Sequence, residues 1–255
     1  MRRRSFAALL AGKGPVLGTW LQIPHPETAE IIAAGGFDYA IVDLEHGHFG
    51  LERAVDLLRG CDAAGLAPLA RVRSIDAIAP VLDAGAVAVV VPGVASAAMA
   101  RDAVAATRYA PAGTRGACPC VRAGDHFIRD WKRFETATEA GCIALVESGD
   151  GIAAIEEIVA VPGLTAVMAG PFDLAVSLGH RGDWRHPAVQ RGLDRLIAAA
   201  EAVSLPVILP VFDPDPVAGA AQIAAWRARG IRVFTIGTDK ILLADAASRW
   251  AGLAR

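Results

Sequence analysis

The chain alternates between two hydrophobic patterns. Short, near-continuous apolar runs occur at 16–22, 37–43, 67–72, 87–91, 142–147, 164–169, 206–212 and 232–236. They do not alternate apolar with polar, so they predict parallel strands covered on both faces. Helix-like segments lie between them, at 26–34, 51–64, 152–159, 188–203, 216–229 and 240–251. Pro26 opens the first and Gly35-Gly36 closes it, Gly65 closes the second, and Val161-Pro162-Gly163 follows the third. Eight β runs with α runs between them predict an α/β fold, with a (β/α)₈ TIM barrel as the leading architecture. An open doubly wound sheet is the alternative. It is weakened because no GxGxxG follows the first strand.

The barrel reading makes a prediction about chemistry, because catalytic groups in this fold sit where strands end and βα loops begin. Trp20 and Gln22 end the first strand, and Asp43, Glu45 and His46 end the second. Arg71 and Arg73 end the third, and Glu147 ends the fifth. Gly170-Pro171-Phe172-Asp173 follows the sixth, and Gly237-Thr238-Asp239 ends the eighth. The opposite strand ends start mostly at or near Gly or Ala. Ionisable groups are thus concentrated on one rim.

Composition narrows the classes. The 255 residues are 54% hydrophobic, enough to bury a core as one domain over 1–255. The formal net charge of −2 gives no reason to expect nucleic acid or an anionic membrane as a bulk partner. The basic start MRRRSFAALLAGKG has too short an apolar part for a signal-peptide core or a membrane span. The four cysteines, Cys61, Cys118, Cys120 and Cys142, contain no CxxC pair and read as reduced thiols of a cytoplasmic chain.

Glu147 and Asp173 follow neighbouring strands, so their carboxylates can converge. Two unpaired carboxylates at close range repel. A divalent cation with its other positions open to water and substrate resolves that conflict, and a structural bridge from Glu147 to a lysine or arginine is the other reading. His46 sits among acids on the same rim, and its ordinary pKa suits proton transfer in either direction. Glu45 reads as an orienting residue or a helix cap, and His48 receives no role. Arg71 closes a buried run and needs an anionic partner: Glu45, a substrate carboxylate or an enolate oxygen. Arg73 is expected to point into solvent. Gly170–Asp173 reads as a tight turn whose N–H groups form a small anion-binding concavity. No lysine ends a barrel strand, which favours metal-assisted C–C chemistry over imine chemistry.

These residues, in this order, resemble the HpcH/HpaI class II pyruvate aldolases of the phosphoenolpyruvate/pyruvate barrel superfamily. The resemblance runs through Gly18-Thr19-Trp20, Val42-Asp43-Leu44-Glu45-His46-Gly47, Ala70-Arg71-Val72, Leu82-Asp83-Ala84-Gly85-Ala86, Arg108–Gly116, Val146-Glu147 and Gly170-Pro171-Phe172-Asp173-Leu174. It implies reversible cleavage of 4-hydroxy-2-oxo acids to pyruvate and an aldehyde. It also implies Glu147 and Asp173 as ligands of Mg²⁺, Mn²⁺ or Co²⁺, and Arg71 at the keto or enolate oxygen. By the same match His46 is the acid/base residue acting with water, and the backbone of Phe172 and Asp173 binds the pyruvate carboxylate. It further implies a homo-hexamer whose last helix packs on a neighbouring barrel. Asp83, expected to pair with the histidine, ends a helix on the wrong rim of its own barrel, so it is expected to act across a subunit interface or to be a structural acid. Leu145, where the family pattern has glutamine, and Ser148-Gly149-Asp150-Gly151 depart from that pattern and bear on the aldehyde half. An acyl-CoA lyase of the citryl/malyl type and a non-catalytic acid-binding barrel are the competing readings; no basic cluster for a CoA chain is evident.

Overall fold

A computed structural model describes residues 4–137, 139–213 and 215–253. Eight strands form a closed barrel in sequence order, every neighbouring pair parallel. They are β1 (Val16–Leu21), β2 (Tyr39–Asp43), β3 (Ala67–Arg71), β4 (Ala88–Val91), β5 (Gly141–Val146), β6 (Ala166–Ala169), β7 (Val207–Val211) and β8 (Val233–Thr238). The outer layer begins with α1 (Phe6–Ala11), α2 (Pro26–Ala34), α3 (Leu51–Ala64), α4 (Ile78–Asp83), α5 (Ala97–Thr107) and α6 (Trp131–Ala137). It continues with α7 (Gly149–Ala153), α8 (Ile155–Val159), α9 (Pro171–Ser177), α10 (Pro187–Ala202), α11 (Pro216–Ala228) and α12 (Asp239–Leu253). The open-sheet alternative is therefore excluded. The helix expected over 152–159 is broken at Ala154 into α7 and α8.

Two apolar layers explain the continuous strand pattern. Alternate residues, among them Trp20, Tyr39, Ile41, Leu69, Val90, Leu145 and Met168, fill the barrel interior. Their neighbours Val42, Ala70, Val89, Val146 and Val167 face the helices. Phe6 of α1 seals the end where the strands begin, its ring edge-on to Tyr39 at 5.3 Å. Gly18 is required here, since a Cβ would come within 2.1 Å of the Tyr39 ring. Closure between β1 and β8 contains an irregularity: Gly18 pairs with Thr235 but Trp20 pairs with Thr238. The extra residue is taken up near Gly237, which has φ +52°. Among the described residues no helix is long and apolar enough to cross a membrane.

Candidate active site

The strand register builds the first half of the site. Asp43 and Arg71 are the last residues of β2 and β3, and they are direct partners in the ladder. Arg71 donates Nε to Asp43 Oδ1 at 2.9 Å and Nη2 to Oδ2 at 2.6 Å. Its Nη1 lies 3.2 Å from Glu45 Oε2, and its guanidinium stacks 4.2 Å above the Trp20 ring. Gln22 Nε2 also donates to Asp43 Oδ2, at 2.7 Å. Burial pushes the Asp43 carboxyl upward, but the hydrogen bonds and charge of Arg71, helped by Gln22, outweigh it and leave Asp43 below the usual carboxylate range. Asp43 therefore stays ionised and fixes Arg71. Removing one partner of such a buried pair costs about 3–5 kcal/mol.

The loop after β2 carries His46. Asp43 Oδ1 accepts the N–H groups of Glu45 (3.1 Å) and His46 (3.2 Å), and Gly47 N donates to Asp43 O at 3.0 Å. A Cβ at Gly47 would meet Asp43 O at 2.1 Å, so this turn excludes a side chain. The His46 imidazole is mostly exposed on the cavity rim, with Nε2 3.9 Å from Glu45 Oε2. Arg73 is exposed, as expected, and in addition donates to the carbonyl oxygens of Leu44 and Gly47. These two carbonyls flank His46.

The second half comes from β5 and β6. Glu147 directly follows β5, and its Oε1 accepts the Gly93 N–H at 2.7 Å. Its pKa is pushed up to about 7, first by burial and further by the nearby Asp173 and Glu45 charges, with the Gly93 hydrogen bond and the Arg71 charge opposing. Among the described residues no lysine or arginine forms an ion pair with Glu147, so the structural-bridge reading is not what the geometry shows. Gly170 gives the carboxylate its room, because a Cβ there would lie 2.5 Å from Glu147 Cβ and 2.9 Å from Oε2. Gly170–Asp173 is not a free turn: Gly170 caps α9, and Phe172 and Asp173 lie in its first turn. First-turn N–H groups have no acceptor within the helix. Trp20, His46, Arg71, Glu147, Phe172 and Asp173 all line one cavity of about 770 Å³.

Asp83 is not brought to this site within the chain. It ends α4 just before β4 begins, and its Oδ1 accepts Arg115 Nη2 at 2.6 Å. A larger cavity, about 1170 Å³, opens at that opposite rim beside Phe6, Arg108 and Arg115. The structure adds residues that sequence reasoning left without a role. Asp239 Oδ2 accepts the N–H groups of Gln22 (2.9 Å) and Ile23 (2.8 Å), which positions the Gln22 that binds Asp43. Gly93 and Gly170 shape the Glu147 pocket. Asp239 was visible as an acid at the end of the eighth strand. Gly93 carried no signal beyond its place in a βα loop, whereas Gly170 stood in the turn and the family motif already read.

A closed (β/α)₈ barrel thus holds two carboxylates, a clamped arginine and a histidine around one cavity at the rim where its strands end, the place where barrel enzymes carry their active sites. Comparison with known proteins makes the assignment: residues 17–246 match the HpcH/HpaI aldolase/citrate lyase family, and the chain belongs to it. It is 34% identical to the 2-dehydro-3,6-dideoxy-6-sulfogluconate aldolase of Pseudomonas putida, covering 94% of this chain and 92% of that one. It is 35% identical to the hydroxypyruvate/pyruvate aldolase of Paraburkholderia phytofirmans, covering 88% and 87%. The solved structure of an HpcH/HpaI aldolase/citrate lyase family protein from Burkholderia cenocepacia superposes with a TM-score of 0.87 at 32% identity, covering 96% of each chain. The protein is a carbon–carbon lyase of the aldolase class.

Proposed function

We propose that the protein reversibly cleaves 4-hydroxy-2-oxo acids to pyruvate and an aldehyde, with Glu147 and Asp173 holding a divalent cation, Mg²⁺, Mn²⁺ or Co²⁺. One observation carries this reading: a Glu147 carboxylate raised by burial to about 7 beside Asp173, while the nearby Arg71 is paired with Asp43 and Glu45 instead. A bound cation relieves both the burial of the charge and the repulsion. Oxygen donors suit a hard cation that keeps positions for water and substrate. Among the described residues no third His, Cys, Asp or Glu completes a protein cage. When bound, the cation supplies Lewis-acid stabilisation of negative charge on an adjacent oxygen.

The chain's own residues do the rest. The N–H groups of Phe172 and Asp173 hold the substrate carboxylate. Arg71, immobilised by Asp43 and Trp20, faces the 2-oxo oxygen, which gains charge as the C3–C4 bond breaks. His46, acting with water, takes the proton of the 4-hydroxyl as the aldehyde leaves, and a proton delivered to C3 then gives pyruvate. Asp83 reaches a His46 only from a neighbouring subunit, so a homo-hexamer with α12 packed on a neighbouring barrel is part of the proposal. The free cysteines agree with a cytoplasmic setting. The partners are small molecules, not nucleic acid or membrane.

The test is pyruvate with glycolaldehyde and Mn²⁺, with and without EDTA. Adduct is expected only with the metal, and metal-independent adduct overturns the mechanism. Glu147→Ala is expected to lose bound metal. His46→Ala is expected to keep it and lose turnover; an empty metal site in His46→Ala contradicts the role given to the histidine.

A further inference from the structure

Two chemically different sets of residues line the rim cavity. One is ionisable: His46, Arg71, Glu147 and Asp173. The other forms an apolar wall of Phe172, Trp184, Pro210, Phe212 and Ile241, with Gln222. Among the described lining residues this second wall holds no ionisable side chain. Phe172, Phe212 and Ile241 are exposed large apolar side chains, unusual unless something apolar meets them. Arg185, which stacks over the Trp184 ring at 4.4 Å, is already engaged, with Nη2 2.6 Å from Asp213 Oδ2. The one polar feature with unmet capacity on this wall is Gln222 Oε1, a buried acceptor with no donor among the described residues.

We propose that the aldehyde component is an uncharged, apolar-bodied aldehyde, and that this wall discriminates against aldehydes carrying a second anionic group. The inference rests on the aldolase reading and names its substrate class. Pyruvate's requirements are met by the ionisable set, so the aldehyde half extends along the aromatic wall. A distal carboxylate or sulfonate placed there would lie among apolar side chains with no ion-pairing cation among the described residues of this wall. An alkyl or aryl chain instead gains apolar burial and dispersion contacts with the rings.

Two four-carbon aldehydes differ in the decisive feature: butanal and succinic semialdehyde. With the full-length protein, Mn²⁺ and saturating pyruvate, kcat/KM for butanal is expected to exceed that for succinic semialdehyde by at least about tenfold. A smaller ratio, or preference for the semialdehyde, overturns the proposal. Phe212→Arg places a cation on the wall and is expected to shift the ratio toward the semialdehyde by about tenfold or more. An unchanged ratio in a folded Phe212→Arg protein overturns the placement of the aldehyde. Should that variant fail to fold, Gln222→Arg reports on the same wall with the same expected direction, and the wild-type ratio still decides. If neither aldehyde adds to pyruvate while glycolaldehyde does, this inference fails and the aldolase reading stands; if glycolaldehyde also fails although Mn²⁺ binds, the aldolase reading fails and this inference with it.

Discussion

Arg73 stands two positions after the clamped Arg71, and its side chain turns back to bind the carbonyls on both sides of His46. The imidazole itself is held by little, a 3.9 Å approach to Glu45 and its own backbone. With His46 in its proposed role, Arg73 is expected to act as a positioning residue through it. Arg73→Ala is expected to lower kcat by about 10–100-fold, the scale of a small misplacement of a catalytic group, with metal affinity kept. The same change in a His46→Ala background is expected to lower the residual rate no further, and equal losses in both backgrounds would mean a general structural role. Glu147 supports a pH prediction on metal-free protein. Its folded pKa, about 7, lies above the ordinary 4.5, so the folded state holds an extra proton between these values and stability falls as pH rises through that window. In EDTA, the melting-temperature advantage of Glu147→Gln over wild type is expected to grow from about pH 4.5 to about pH 7 and then level off. A difference that is flat with pH would contradict the raised value.

Closure of the barrel depends on how α12 meets β1. Asp239, the first residue of α12, accepts two N–H groups from the chain just beyond β1 and one from Lys240. Burial raises its pKa even so. Asp239→Ala leaves those donors unmet and is expected to cost about 2 kcal/mol in urea unfolding. Through Gln22 it also loosens Asp43 and Arg71, so turnover falls with stability; loss of neither would mean that water replaces the carboxylate. At this scale the sequence was most readable where one physical cause acts. Strand runs buried on both faces read to within a residue or two, as at β1 (Val16–Leu21) and β7 (Val207–Val211), and α2 and α3 end at the glycines that stop them. α5 was not legible, because AAMARDAVAAT buries only small residues, Ala97, Ala100, Ala103 and Thr107, and gives no strong periodic signal. Arg71 was legible as a buried cation needing an anion. Its main partner was not, because the Asp43–Arg71 contact depends on the register between strands 28 residues apart. Pro171 read as part of a turn because proline at the first position of a helix resembles one locally.

The whole molecule leaves apolar surface in a particular place. Along α12, Leu243, Trp250 and Leu253 are 63%, 76% and 82% exposed, with Ala246 and Ala247 between them at helical spacing. Exposed side chains of this size, on a helix that borders the active-site cavity through Ile241, favour burial against another copy of the chain. Asp83 sits at the rim opposite His46, bound to Arg115, so the proposed pairing with that histidine requires another subunit. Sedimentation velocity at micromolar concentration is expected to show a hexamer for the wild type. The double variant Leu243→Glu/Trp250→Glu is expected to sediment as smaller species with its helical circular dichroism intact, because neither side chain supports the barrel core. Its turnover is expected to fall with dissociation. Asp83→Asn is expected to lower turnover in the assembled protein and to have no further effect in the dissociated one. A monomeric wild type with full activity would remove both the assembly and the role of Asp83 across it. An assembled but equally active Asp83→Asn protein would leave the hexamer and reduce Asp83 to the partner of Arg115.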